Sequence, residues 1–319
     1  MKRNFALRKF IPAQLLFLTG IVFILTGCAG NGKKPHVIGG DDTLTSGTIH
    51  ISADESFKPV IDSQIKVFLS QYPKANIIAH YKPEADCIKD LLNDSIRMVI
   101  ITRGLSEDEV KFYKDTLEFA PIFGIMASDA IAVVVNNAAK DSLFTVGDIR
   151  SILNGTSGYA YKPVMDGLTA TSTVRFMLDS VLKGQPFSQK VQAATSSEGV
   201  LDYVASDPAS IGFVGVSWIG NKEDSTQLSF LKKVKIASMQ CSNCDSGDVY
   251  VKPYQANIAL KRYPFRRGLY FVLKENYSGL GRGFSNFLTH EKGQLIFRRA
   301  YLVPDRMQLG VRRVNLNME

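Results

Sequence analysis

Three short stretches put hydroxyl side chains where an apolar strand gives way to a helix, an arrangement suited to holding an anion. The first is Ser52-Ala53-Asp54-Glu55-Ser56, which follows the strand-like Ile49-His50-Ile51. The second is Met98-Val99-Ile100-Ile101-Thr102-Arg103-Gly104, where a β-branched run stops abruptly on a hydroxyl and a guanidinium. The third is Asp166 to Thr173, in which Thr169, Thr171, Ser172 and Thr173 supply four hydroxyls in five positions. Free N–H groups and the dipole at a helix start favour negative charge. Neutral donors there can hold an oxyanion without one counter-charge per oxygen. Each stretch also has a plainer reading: Ser56 as a simple N-cap, Thr102-Arg103 as an ordinary turn, and 169–173 as a flexible loop.

The elements that must position these residues follow from hydrophobic periodicity. Val60, Ile61, Ile65, Phe68 and Leu69 repeat with helical spacing, so Ser56 is the natural N-cap, with Pro59 in the first turn. Asn76 to His80 reads as a second strand, leading through Tyr81-Lys82-Pro83-Glu84 to a helix over Ala85 to Asp94. Ser106 and Glu109 have capping-box spacing, so a helix is predicted near Asp108 to Leu117. Ala130 to Val135 is a strongly apolar strand, and a helix runs from Thr145 to Asn154-Gly155. Thr195 to Gly199 precedes a helix over Val200 to Ala205, Ile211 to Gly215 is a short strand, and Gly283 to Phe297 is helical. Gly279-Leu280-Gly281-Arg282-Gly283 lacks the Lys-Ser/Thr of a phosphate loop and reads as a turn. Alternating strands and helices predict an α/β fold with mostly parallel pairing, whose ligands bind at the carboxyl ends of the strands.

The chain has 319 residues, of which 45% are hydrophobic and 21% charged, enough for a large core and two domains. Lys2, Arg3, Arg8 and Lys9 precede an apolar run from Phe10 to Thr26, and Leu25-Thr26-Gly27-Cys28 resembles the lipobox of bacterial lipoproteins. Residues 1–27 are therefore expected to be a signal peptide and Cys28 the site of lipid attachment. A transmembrane anchor is disfavoured by Pro12, Gln14 and Gly20. Loss of the four basic residues in 1–27 would lower the net charge from +8 to +4, which argues little for nucleic acid. Residues 28–47 are rich in Gly, Lys and Asp and are expected to form a flexible tether, with the fold beginning near Thr48.

Cys241 and Cys244 have C-x-x-C spacing without a second ligand pair for zinc. In an exported protein a local disulfide is expected ahead of free thiols or metal and redox chemistry. Cys87 then remains as a buried thiol. Of the four histidines, His36, His50, His80 and His290, none stands in a recognisable nucleophile-base motif, so no enzymatic activity is expected. No metal or cofactor is called for.

The order of the motifs resembles the phosphate-binding proteins of ABC importers. The resemblance rests on Glu55-Ser56-Phe57, Ile101-Thr102-Arg103-Gly104-Leu105 with Glu109, Ala130-Ile131-Ala132-Val133, Thr171-Ser172-Thr173, Ala209 to Val214, Tyr263-Pro264-Phe265-Arg266-Arg267 and Glu291-Lys292-Gly293-Gln294. It implies a type II periplasmic-binding-protein fold, two α/β lobes with mostly parallel sheets flanked by helices, closing on an oxyanion. One lobe would comprise roughly 48–132 plus 268–319 and the other roughly 133–267. Ser56, the Phe57 N–H and Thr102 would be contacts from the first lobe, and Thr171, Ser172 and Thr173 from the second. The family's Ser-Gly-Thr reads Thr171-Ser172-Thr173 here, and the Arg usual after it is Val174, with Arg175 about 100° further round the helix. Phosphate receptors of the best-studied type carry, where this chain has Arg103, a carboxylate that accepts the proton of hydrogen phosphate and so rejects sulfate. Arg103 would instead supply charge, and Glu84 is the candidate replacement acceptor.

The expectation is a monomeric lipoprotein, tethered to a bacterial membrane in the periplasm or at the outer cell surface. It would capture inorganic phosphate or a similar tetrahedral oxyanion and present it to an inner-membrane permease, with no nucleic-acid partner. The alternative is an envelope interaction or sensing protein that reuses the fold without transport.

Overall fold

The computed structural model of the chain describes residues 42–307, apart from Leu168 and Lys222. The expected signal peptide, Cys28 and most of the tether lie outside the described residues. The end of the tether is held to the fold: Asp42 pairs with Arg97 at 2.8 Å and accepts hydrogen bonds from Tyr277 (2.8 Å) and the Leu280 N–H (2.6 Å). No helix among the described residues is long and apolar enough to cross a membrane.

Strands β1 (Gly47–Asp54), β2 (Ala75–Lys82) and β3 (Ile96–Ile101) are parallel neighbours in the order β2-β1-β3. The long β4 (Ile122–Asn136) comes next in the chain, then β5 (Leu143–Phe144), β6 (Lys162–Met165), β7 (Gln192–Ala193) and β8 (Ser210–Gly215). Strands β9 (Val234–Ile236), β10 (Ser238–Gln240), β11 (Tyr250–Val251), β12 (Arg266–Leu273) and β13 (Val303–Pro304) complete the set. The main sheet runs β2-β1-β3-β12-β4-β8-β6-β7, with β13 and β9 also paired to β4, and β11-β10-β5 form a small second sheet. Pairing is parallel within β1-β2-β3 and within β6-β7-β8, while β12 and β4 run antiparallel to their neighbours.

This topology yields two lobes. The first half of β4 pairs with β12 from Ile122↔Leu273 to Ala130↔Arg266, and the second half pairs with β8 from Ile131↔Gly215 to Val135↔Ile211. Two crossing strands thus connect separate cores. One core contains Ile49, Ile51, Phe57, Ile61, Phe68, Met98, Ile100, Leu269, Phe284 and Phe297. The other contains Ile131 to Val135, Phe144, Leu153, Val164, Val200, Phe213, Tyr263 and Phe265. In β3 the pleat sends Met98 and Ile100 to the first core, and Val99 and Ile101 to a third cluster on the opposite face with Cys87, Leu91 and Tyr113. Burial on both faces explains the unbroken apolar run.

Capping boxes begin two helices: the one its spacing predicts, Ser106 with Glu109 at Glu107–Leu117, and a second formed by Thr145 with Asp148 at Val146–Asn154, which ends on Gly155 at φ 80°. Elsewhere local structure departs from expectation. The strand read at Ala130 to Val135 is the second half of the fifteen-residue β4. Ser56 does not cap the Lys58–Gln71 helix; Asp54 caps a preceding 3-10 turn, accepting the Ser56 N–H at 2.8 Å. The glycines read as a turn lie at the start of the Leu280–Thr289 helix. Gly283 is there for close approach, since a Cβ would fall 1.8 Å from the Leu44 carbonyl oxygen. The Gly281 and Arg282 N–H groups both donate to Glu275 at 2.9 Å, so a carboxylate of this chain occupies that helix start. Cys241 and Cys244 form a disulfide, and Cys87 is a buried free thiol.

Candidate functional site

Loops at the carboxyl ends of β1, β3 and β6 meet between the two cores, where the three hydroxyl stretches converge on two adjoining clusters. The first cluster surrounds Asp166, which follows β6. Its Oδ1 accepts from Thr171 Oγ1 at 2.9 Å, and its Oδ2 accepts from Thr173 Oγ1 at 3.1 Å and Ser56 Oγ at 3.4 Å. Ser56 Oγ also lies 3.5 Å from Ser172 Oγ, so the two lobes meet hydroxyl to hydroxyl. Thr171 caps the Ser172–Phe176 helix, accepting the Val174 N–H at 3.2 Å. Ser56, Thr171, Ser172 and Thr173 are all buried. Phe57 is fully buried as well, its ring 4.8 Å from the Arg267 guanidinium.

The second cluster is built on Glu84. Its Oε1 accepts from the Thr102 N–H at 2.8 Å and from Thr102 Oγ1 at 2.5 Å, while its Oε2 accepts from Arg175 Nε at 2.6 Å. Arg175 Nη2 also donates to Thr102 Oγ1 at 2.6 Å. The turn of helix that carries Arg175 away from the Asp166 cluster brings it to Glu84. Burial works against ionisation of Glu84, but Arg175 and Thr102 outweigh it and hold the carboxyl below its ordinary range. Two further hydrogen bonds tie neighbouring segments: the Ala85 N–H donates to the Ala170 carbonyl at 3.0 Å, and Ser197 Oγ donates to Glu55 at 2.8 Å.

Arg103 is not brought into either cluster. Its guanidinium makes a bidentate pair with Glu109 at 2.6 and 2.7 Å, which fits the S-x-x-E helix start rather than a ligand. The buried cation of the cleft is Arg267, on β12 where the crossing strands pass. Its Nε donates to Asp129 Oδ2 of β4 at 2.9 Å and its Nη1 to Ser172 Oγ at 2.8 Å, while Nη2 is buried without a hydrogen-bond partner. Burial disfavours the charge on Arg267, yet Asp129, Asp54 and Asp166 together raise its pKa above the ordinary value. Gly215 keeps space for this arrangement, since a Cβ there would lie 3.0 Å from Arg267 Nη2 and 3.1 Å from the Ser56 carbonyl oxygen.

The sequence motifs include Arg267, Asp54, Asp166, Glu55 and Arg175 without a site role, and Asp129 stands in none of them. The usable signal was the buried-strand context of an Arg and an Asp, because such groups are rarely buried unless paired. A cavity of ≈ 130 Å³ opens beside the first cluster, lined by Asp54, Glu55, Tyr81, Lys82, Asp166 and Thr171 among others. A larger groove of ≈ 790 Å³ is walled by Val216, Ile219, Leu231, Tyr254, Leu260 and Tyr301. It is mostly apolar and none of the cleft hydroxyls or carboxylates lines it, so the small cavity is the chemical site. Of the clustered hydroxyls, Thr171 lines this small cavity together with Asp166, while Ser56, Ser172, Thr173 and Arg267 lie outside its lining. Among the described residues, no group of three or more His, Cys, Asp or Glu is arranged to hold a metal ion.

No curated protein matches the chain. Its fold is similar to that of a putative phosphate ABC transporter substrate-binding protein with bound phosphate from Clostridium perfringens, with TM-score 0.68 and 19% identity over 82% of this chain and 100% of the other. It is also similar to an ABC-type phosphate transport receptor from Vibrio cholerae, with TM-score 0.59 and 18% identity over 81% and 100%. A possible phosphate binding protein from Planctomyces limnophilus aligns with TM-score 0.54 and 17% identity over 81% and 93%. At these identities the likeness speaks to the fold, a two-lobe α/β architecture of the type II periplasmic-binding-protein kind. A family model described as a PBP superfamily domain matches residues 41–292, most of the chain, and the protein is therefore a member of the PBP superfamily.

Proposed function

We propose that the protein is a substrate-binding protein that captures inorganic phosphate, or a related tetrahedral oxyanion, between its lobes and delivers it to an ABC importer. The observation that carries this reading is the convergence of Ser56, Thr171, Ser172 and Thr173 with a buried Arg267 whose Nη2 is uncommitted. In such a dry site each donor is stronger than in water and a charged donor stronger still. Asp166 occupies the acceptor position that the anion would take or share. Glu84 acts by fixing Thr102 and Arg175, and Arg103 supplies no direct contact. The lobes are assigned as 48–132 with 268–319 and as 133–267. A lipid on Cys28 would hold the receptor, as a monomer, at the membrane beside its permease, and binding without turnover would complete its task.

Support comes from the structural relatives named for phosphate and from the site's supply of hydroxyl and guanidinium donors. A thermal-shift comparison of phosphate, sulfate and molybdate tests it, because a ligand that binds only the folded state raises the melting temperature. Phosphate is expected to raise it most, and no shift with any of the three would refute the reading. One observation favours the second reading, an envelope interaction or sensing protein: Glu84 with Arg175, and Glu55 with Ser197, join the lobes through the protein's own side chains. Absence of anion binding together with co-purification of non-transport envelope proteins would select it.

A further inference from the structure

The cleft contains more carboxylate than a plain anion site can tolerate. Asp54 is buried, with Oδ1 engaged by the Ser56 N–H and Oδ2 left without a hydrogen-bond partner, and it lines the ≈ 130 Å³ cavity beside Glu55 and Asp166. Facing Asp54 are Arg267 from β12, Glu84 and Cys87 from the Glu84–Lys89 helix, Asp166 from the end of β6, and the Ser172 hydroxyl. Glu55 is faced by Asp166, Asp54 and the Ser197 N–H and hydroxyl, and Lys82 and Tyr81 of β2 share the cavity wall. The buried cation of the cleft, Arg267, is already paired with Asp129. An oxyanion seated on the Ser56, Thr171 and Thr173 hydroxyls would lie within a hydrogen-bond length of Asp166 and close to Asp54 and Glu55. Like charges at that separation in a dry site cannot all stay ionised.

Resting on the reading of this cleft as an oxyanion site, we infer that the protein captures its anion together with protons, which Asp54 and Glu55 take up, so that affinity rises as pH falls. Once protonated, Asp54 becomes a donor, and its unpartnered Oδ2 gains an acceptor in the bound anion. Neutralising Glu55 removes a repulsion while leaving its carbonyl oxygen to accept from Ser197. The two groups are poised for this before any anion arrives: burial pushes Asp54 up to about 6, against the pull of Arg267, and pushes Glu55 up to about 7, against its hydrogen bonds from Ser197. A bound anion would raise both further, and each group contributes up to about tenfold in affinity per pH unit between its free and bound values.

The test is calorimetric titration of the mature chain with inorganic phosphate between about pH 5.5 and about pH 8.5, in two buffers of different ionisation enthalpy, so that net proton uptake is read from the heats. Wild type, Asp54→Asn and Glu55→Gln are compared. Phosphate's own protonation contributes equally to all three, so the difference between them reports the protein. Wild type is expected to bind at least about tenfold more weakly at the alkaline end than near pH 6.5, with more proton uptake than either variant. Each variant should bind more tightly than wild type at the alkaline end and with a shallower pH profile, an outcome that loss of a merely structural carboxylate would not produce. Circular dichroism establishes that each variant is folded, and either one alone suffices. Identical pH profiles in wild type and a folded variant, or no greater proton uptake by wild type than by the variants, would overturn the inference while leaving the oxyanion site standing. No phosphate binding at any pH would overturn both.

Discussion

Replacing Arg267 by Met should destabilise the protein severely and in a pH-dependent way. Arg267 and Asp129 face each other across the β12–β4 crossing in register, with side chains 3% and 0% exposed and a 2.9 Å contact. Met matches the length of the side chain but removes the charge, leaving Asp129 buried and uncompensated and taking a donor from Ser172. Breaking one partner of a buried ion pair costs about 3–5 kcal/mol. Loss of the guanidinium over the Phe57 ring falls within the same figure, because these contacts are not additive. For a domain of this size the loss corresponds to a fall in Tm of roughly 10 °C. The pH dependence follows from Asp129: burial already holds its carboxyl above the ordinary value against the pull of Arg267, and without Arg267 it is pushed further up; a group raised in the folded state stabilises at low pH and loses that contribution as pH rises through its folded value. Urea unfolding at about pH 5 and about pH 8 should therefore show a smaller deficit in the acid and the full deficit in the alkaline sample. Changing Asp129 to Leu in the same chain should recover part of the loss, since a buried pair replaced by apolar groups can be nearly neutral. A deficit below about 1 kcal/mol, or one independent of pH, would refute the assignment of Arg267 as the charge that holds the crossing strands together.

Two further perturbations examine the frame around the cleft. Burial opposes ionisation of Asp42, but Arg97, the Leu280 N–H and Tyr277 outweigh it and hold the carboxyl down at about 2 from an ordinary 3.8. A group lowered in this way stabilises above its unfolded value and loses the contribution as pH falls, so Asp42→Asn should abolish about 2 kcal/mol of acid sensitivity between about pH 4 and about pH 2 in thermal unfolding. Gly283→Ala should destabilise by about 2 kcal/mol or more in urea, because the new Cβ meets the Leu44 backbone at 1.8 Å. The usual gain of about 1 kcal/mol for Gly→Ala within a helix would contradict that close approach.

Periodicity made the frame legible and charge made the site hard to read. The apolar run at β3 and the Ser106 capping box identify their elements without help, because each reports on burial or on N–H groups a few residues away. The hydroxyl clusters were visible for the same local reason, a strand ending at a helix start. Hidden were the partners that only tertiary structure supplies. Arg103 and Arg267 look alike in sequence, yet Glu109 lies six positions after the first, while Asp129 lies on a separate strand from the second and 138 positions earlier in the chain. Asp54 carries no role in the sequence because the cap is read at Ser56; in the structure Asp54 caps the turn with one of its two oxygens, and the other is left without a hydrogen-bond partner. Arg175 was discounted by helical angle alone, although the angle that removes it from Asp166 is what delivers it to Glu84 and Thr102. The resemblance to a family supplied the order of the lobes, which no local pattern encodes.

Whether separate segments of the chain assemble one oxyanion site is decided most directly by titrating phosphate into the mature protein and into a Thr171→Ala, Thr173→Ala double variant, with heat as the readout. Saturable one-site binding by wild type and loss of most affinity in the variant is the predicted result, since two of the cleft's donors vanish while the fold keeps both cores. Equal binding by the two proteins, or none by a folded wild type, would contradict it.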